Sequence, residues 1–76
     1  MSEYLDLRGT PCPVNFVRCC LALEELNDDN FLQVDLDRGE PEETVISGLR
    51  KEGYDIQIIH IDFNWIRFIV KTNGSK

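Results

Sequence analysis

Tyr4-Leu5-Asp6-Leu7-Arg8-Gly9-Thr10-Pro11-Cys12-Pro13 decides the architecture, because one kind of periodicity ends and another begins within it. Leu5 and Leu7 alternate with polar residues, which predicts a first strand over Tyr4–Leu7. Gly9 and Pro11 break that pattern. Pro13 suits the first position of a helix, where its missing N–H would have no intrahelical partner and its fixed φ is already helical. Spacing near 100° per residue then gathers Phe16, Cys19, Cys20, Ala22, Leu23 and Leu26 on one face of a helix over about Pro13–Leu26. The turn cluster Asn27-Asp28-Asp29-Asn30 ends it.

The same alternation of strand and helix repeats downstream. Phe31–Asp37 is a half-buried strand with Leu32, Val34 and Leu36 on one side and Gln33, Asp35 and Asp37 on the other. Arg38-Gly39-Glu40-Pro41 leads into a second helix with Glu42 and Glu43 in its first turn, where the helix dipole favours acids. Val45, Ile46 and Leu49 form its apolar stripe and Gly53 its stop. A third strand covers Asp55–Ile61, with a slip of alternation at Ile58-Ile59 that predicts a bulge or a change of face. Asp62-Phe63-Asn64 connects it to a fourth, Trp65–Lys71, and Thr72–Lys76 is a polar tail.

The order β-α-β-α-β-β predicts an α+β fold, a two-layer sandwich with both helices on one face of a mixed four-stranded sheet. The β-α-β portions favour parallel pairing and the last two strands an antiparallel hairpin. Gln33, Asp35, Gln57, Arg67 and Lys71 suit the opposite, watered face, and Asp35 and Asp37 read as a solvated acidic surface. Asp6 suits pairing with Arg8 or the loop backbone, and His60 and Trp65 read as structural.

The chain has 76 residues, expected to form one domain over residues 1–76 with a thin core, since folding at this length hides only about 60% of the unfolded surface. A monomer is the default. No apolar run nears the roughly 20 residues that span a bilayer, and the first residues lack a signal-peptide pattern, so the expected setting is cytoplasmic, without membrane insertion. Net charge is −6, and the basic residues are scattered, which disfavours direct nucleic-acid binding. The three cysteines, Cys12, Cys19 and Cys20, are too few and too odd in number for a disulfide framework. Their spacing matches no zinc pattern, and His60 would be a lone distant ligand, so no metal or other cofactor is expected.

That leaves sulfur chemistry. A cysteine just ahead of a helix lies over free N–H groups and the positive end of the dipole, which favours thiolate over thiol. Cys12 holds that position, whereas Cys19 and Cys20 fall on the core face and behave as small hydrophobes. Val14, Val17 and Leu21 lie on the opposite side of the helix from Leu23. They read either as a docking strip beside the sulfur or as a dimer contact or scattered surface residues.

The run Leu5–Pro13 resembles the start of the TusA/SirA-like family of small sulfur carriers. The resemblance continues through Ala22-Leu23-Glu24-Glu25-Leu26, Asp37-Arg38-Gly39-Glu40-Pro41, Glu52-Gly53-Tyr54 and Arg67-Phe68. It implies a carrier, closer to a sulfurtransferase-like relay protein than to a turnover enzyme. Cys12 would hold a persulfide as covalent cargo. A cysteine desulfurase or rhodanese-like donor would load it, and a sulfur-acceptor relay protein would unload it. Some such relays end in tRNA thiolation, others in cofactor synthesis or sulfur oxidation. Pro13 matches the first proline of the family's Cys-Pro-x-Pro signature, and Asn15 replaces the second. Asparagine there restores a backbone N–H, expected to serve an anionic sulfur, and Arg8 adds positive charge if its side chain folds back. Two other readings stay open: an interaction or regulatory module of this fold that no longer loads sulfur, and a thiol redox sensor.

Overall fold

A computed structural model describes residues 3–11, 13–26 and 30–71. The elements are β1 (Glu3–Asp6), α1 (Val14–Glu24), β2 (Phe31–Asp37), α2 (Glu40–Lys51), β3 (Asp55–Ile61) and β4 (Trp65–Lys71). The last two strands and β2 have the predicted limits, and the expected bulge appears as a register shift between Ile58 and His60. The first helix is shorter than its periodicity predicts. Its last turn tightens, with Glu25 and Leu26 N–H groups donating three residues back to Ala22 and Leu23 carbonyls at 3.2 Å. The turn residues Asn27, Asp28 and Asp29, and the tail Thr72–Lys76, lie outside the described residues.

The sheet order is β1-β2-β4-β3. β1 runs parallel to β2, and β4 is antiparallel to both β2 and β3. The second β-α-β portion therefore yields strands that point the same way without touching. The final strand folds back from the β3 hairpin and inserts between them, because its apolar face (Ile66, Phe68, Val70) belongs at the centre of the core.

Leu32, Val34 and Leu36 of β2 join those three residues and Leu7 beneath the helices. Cys19 and Leu23 reach down from α1, and Val45, Ile46 and Leu49 from α2. Burying a side chain such as Phe68 contributes about 2–3 kcal/mol. The two helices meet where Phe16 crosses Gly48, which leaves no room for a side chain on α2. At the end of α2, Gly53 adopts φ +94°, its N–H donates to Arg50 C=O at 3.0 Å, and Tyr54 N–H reaches Leu49 C=O at 3.2 Å. That is a Schellman closure, which needs the left-handed conformation glycine supplies.

The opposite face is open, but it is not the solvated acidic surface that the alternation suggests. Asp35 is fully buried there. Arg67 lies directly across the β2–β4 ladder from it, and Tyr4 reaches it from β1. Asp37 is drawn into the loop after β1, where Oδ2 accepts from Gly9 N–H at 2.8 Å.

Candidate functional site

The loop joining β1 to α1 emerges at the end of the parallel pair, where open α/β sheets commonly place their ligands. Cys12, the predicted nucleophile, lies outside the described residues; its surroundings are built as follows. Leu7 N–H donates to Asp35 C=O at 2.8 Å and so extends the β1–β2 ladder by one step. The chain then turns, with Thr10 N–H bonded to Leu7 C=O at 3.0 Å and Gly9 at φ +80°. A positive φ at the third position of such a turn is glycine's to fill. Gly9 is tied to Asp37 and Arg8 N–H to Asp6 Oδ1 at 3.1 Å, so both strands hold the loop that delivers Pro11 and Pro13, each exposed.

α1 begins at Val14, with Pro13 at the cap (φ −94°, ψ 11°) rather than at the first helical position. Pro13 offers no side-chain cap, and the first turn of α1 holds no acidic residue. The contrast with α2 is sharp: there Glu40, Glu42 and Glu43 crowd the first turn, and Glu42 Oε1 accepts from Gly39 N–H. The positive end of α1 is left uncompensated by its own side chains.

Asn15 behaves differently from its expected role. Its N–H donates to Pro11 C=O at 3.0 Å and is no longer available to a sulfur anion. Its side chain turns into the protein and is fully buried, with Oδ1 accepting from Phe16 N–H at 2.6 Å and Nδ2 without a partner among the described residues. Val17 N–H is likewise taken, by Pro13 C=O at 3.1 Å. Val14 N–H, the first donor after Pro13, has no acceptor among the described residues.

Arg8 is also not free to fold back. Its guanidinium holds Asp6 through Nε–Oδ1 and Nη2–Oδ2 contacts of 2.9 and 3.0 Å, and it stacks on Trp65 at 5.1 Å. Hydrogen bonding to Arg8 holds the Asp6 carboxyl below its ordinary range. Arg67 stacks on the same Trp65 ring at 5.2 Å, which places the indole beside two guanidinium groups. His60 lies against Trp65 with ring centroids 5.1 Å apart. Of these residues, alternation places only Arg67 on the open face; the convergence of Arg8, His60 and Trp65 with it depends on strand register.

The other two cysteines are where the periodicity put them. Cys19 is buried, and that burial pushes its thiol up to about 12. Cys20 is half-buried and raised as well, by burial first and then by Glu52 and Glu24. Val14, Val17 and Leu21 are 46%, 49% and 57% exposed and form one stripe running down α1 from its N-terminus. No three His, Cys, Asp or Glu side chains converge on one point among the described residues.

The sequence profile of the family described as Sulfurtransferase TusA matches residues 3–72. A protein of Archaeoglobus fulgidus named as a candidate sulfur carrier is 33% identical over 55 residues, which span 72% of this chain and 62% of that protein's length. The chain thus spans less than two thirds of that relative. Among solved structures, the SirA-like protein of Desulfitobacterium hafniense superposes with a TM-score of 0.75. That superposition covers 92% of this chain and 95% of the other at 22% identity, a likeness of fold. With nearly the whole length matched, from the first strand to just past the last, the chain belongs to the TusA sulfurtransferase family.

Proposed function

We propose that the protein is a sulfur carrier in which Cys12 receives a persulfide sulfur and passes it on by direct contact between proteins. In the loading step the Cys12 thiolate attacks the terminal sulfur of a donor persulfide. A new S–S bond forms at Cys12, the donor's S–S bond breaks, and the donor leaves as a thiolate. Unloading is the same exchange with an acceptor thiolate, so no metal, nucleotide or general base is needed in the carrier.

The observation that carries this reading is the state of the other two thiols. Burial holds both Cys19 and Cys20 towards the neutral form, which is neither nucleophile nor leaving group. Of the three cysteines, that leaves Cys12, beside the uncompensated start of α1. The stripe Val14, Val17 and Leu21 is the docking surface for donor and acceptor, since it begins at the residue after Pro13. Donors of the cysteine desulfurase or rhodanese type fit the family, and delivery to tRNA thiolation or cofactor synthesis follows from the acceptor. The setting is a reducing cytoplasm, where thiols stay available for exchange; no helix among the described residues is long and apolar enough to cross a membrane.

The test is loading by a cysteine desulfurase with free cysteine and pyridoxal phosphate, read by intact and peptide mass spectrometry. One added sulfur atom on the Cys12 peptide, absent from Cys12→Ser, is expected. Val17→Glu should slow loading from the protein donor and leave loading from a small-molecule persulfide unchanged. Failure to load from any donor, or loading that survives Cys12→Ser, overturns the proposal.

A further inference from the structure

β3 forms one margin of the sheet, and its outer backbone groups pair with no other strand among the described residues. Such margins are usually blunted by charge, by proline or by a covering element. Here the second half reads Ile58-Ile59-His60-Ile61. Ile58 and Ile61 lie opposite Phe68 and Ile66 in the β3–β4 ladder and so share the helix-side face with the core. They are nevertheless 42% and 53% exposed. An open groove of about 960 Å³ runs along α2, and its lining includes Glu43, Ile46, Ser47, Arg50 and Ile58. Phe63, at the adjoining hairpin, is 93% exposed.

The charges along this groove say what covers it. Glu43 and Arg50 are seven residues apart, so they sit two turns apart on the same side of α2, above the margin. The first turn of α2 is acidic and its last turn carries Arg50 and Lys51. A two-fold axis perpendicular to the sheet near Ile58 pairs β3 antiparallel with its copy and sets the two α2 helices antiparallel across the seam. Glu43 then faces Arg50 of the partner subunit, and Arg50 faces the partner subunit's Glu43. The arrangement is isologous and closed. It also counters the long-range repulsion between two chains of net charge −6, by putting unlike charges at the contact.

We propose that the chain forms a symmetric homodimer through antiparallel pairing of its β3 edges, with reciprocal Glu43–Arg50 ion pairs over Ile58, in place of the monomer that its size suggests. β1, which precedes the Cys12 segment, forms the opposite margin of the sheet, so the dimer seam lies away from it.

Sedimentation velocity on the full chain carrying Cys12→Ser, in reductant and up to millimolar concentration, tests this without interference from disulfides. A concentration-dependent species of twice the chain mass is expected. Ile58→Lys abolishes it while far-UV circular dichroism stays unchanged. Glu43→Arg and Arg50→Glu each weaken dimerisation about tenfold, since each change converts two attractive pairs into repulsive ones, and the double reversal restores it. A monomer at every concentration overturns the proposal. So does a dimer indifferent to Ile58→Lys and to both single reversals, which would use another face, and so do larger open-ended oligomers.

Discussion

Arg67 grips the buried carboxylate of Asp35 from directly across the β2–β4 ladder, Nε to Oδ1 at 2.7 Å and Nη2 to Oδ2 at 2.9 Å. Tyr4 donates its hydroxyl to the second oxygen at 2.6 Å, so one side chain joins β1, β2 and β4 on the face that the helices leave uncovered. Arg67 and Tyr4 give the carboxylate partners that offset its loss of water. The hydrogen bonds from Arg67, and then from Tyr4, hold the Asp35 carboxyl below its ordinary range even though burial pushes the other way.

This clamp has a pH signature. The folded pKa of Asp35 is depressed, so its stabilisation is complete above the unfolded value of about 3.9 and is lost as pH falls through the folded value. Asp35→Asn is expected to cost about 2 kcal/mol at neutral pH, where it replaces charge-assisted bonds with weaker ones. In urea unfolding the gap between wild type and variant should narrow as pH drops below about 4. A gap that stays constant with pH would show that Asp35 does not act as an anion.

The cysteines should separate cleanly by reactivity. With Cys19 pushed up to about 12 and Cys20 also raised, alkylation of the native protein at neutral pH should modify Cys12 rapidly and the others slowly. Three equivalents should react once the chain is unfolded in denaturant. Peptide mapping over time checks this, and rapid native labelling at Cys19 would contradict the burial argument.

Asn15→Pro restores the second proline of the family signature. It removes the bonds from Asn15 N–H to Pro11 C=O and from Phe16 N–H to Asn15 Oδ1, but it also removes a buried Nδ2 that has no partner among the described residues and stiffens the unfolded chain. Proline is tolerated in the first turn of a helix. The opposing contributions leave a net change within about 1 kcal/mol, measured by chemical denaturation. A loss well beyond that would mean the asparagine amide has a structural partner after all.

Gly48→Ala probes the contact between the helices. A Cβ there would lie 2.7 Å from Cε1 of Phe16, closer than van der Waals contact allows. Overpacking of about 1–3 kcal/mol outweighs the gain in helix propensity of up to about 1 kcal/mol, so a net loss of about 1 kcal/mol is expected. Phe16→Leu in the same background should recover part of it, and thermal melts of the single and double variants measure both. A single variant as stable as wild type would show that the Phe16 ring moves aside freely.

Local periodicity was enough wherever a residue's fate depends on near neighbours in sequence. The alternation through Phe31–Asp37, the doubled isoleucine at the bulge and the glycine after α2 each read directly onto the structure. Cys19 and Leu23 fell on the buried side of α1 for the same reason, and Val14, Val17 and Leu21 on the exposed side. Asn15 did not follow: a polar residue at a helix start is ordinarily a cap, yet this one shares the core-facing side with Cys19 and turns inwards.

By itself, the sequence determined the element order, the two-layer class, the family, and the cysteine on which the proposed chemistry rests. The element order and layer class follow from residue type and short-range spacing, the cysteine from its place just ahead of the first helix, and the family from the resemblance that the profile match over residues 3–72 bears out. Only the tertiary structure decided that β4 lies between β2 and β3, that Asp35 is buried rather than solvated, and that Arg8 pairs with Asp6 and stacks on Trp65. Those outcomes depend on which distant strands become neighbours and in what register. Alternation tells a side chain which face of the sheet it occupies, but not what stands beside it there.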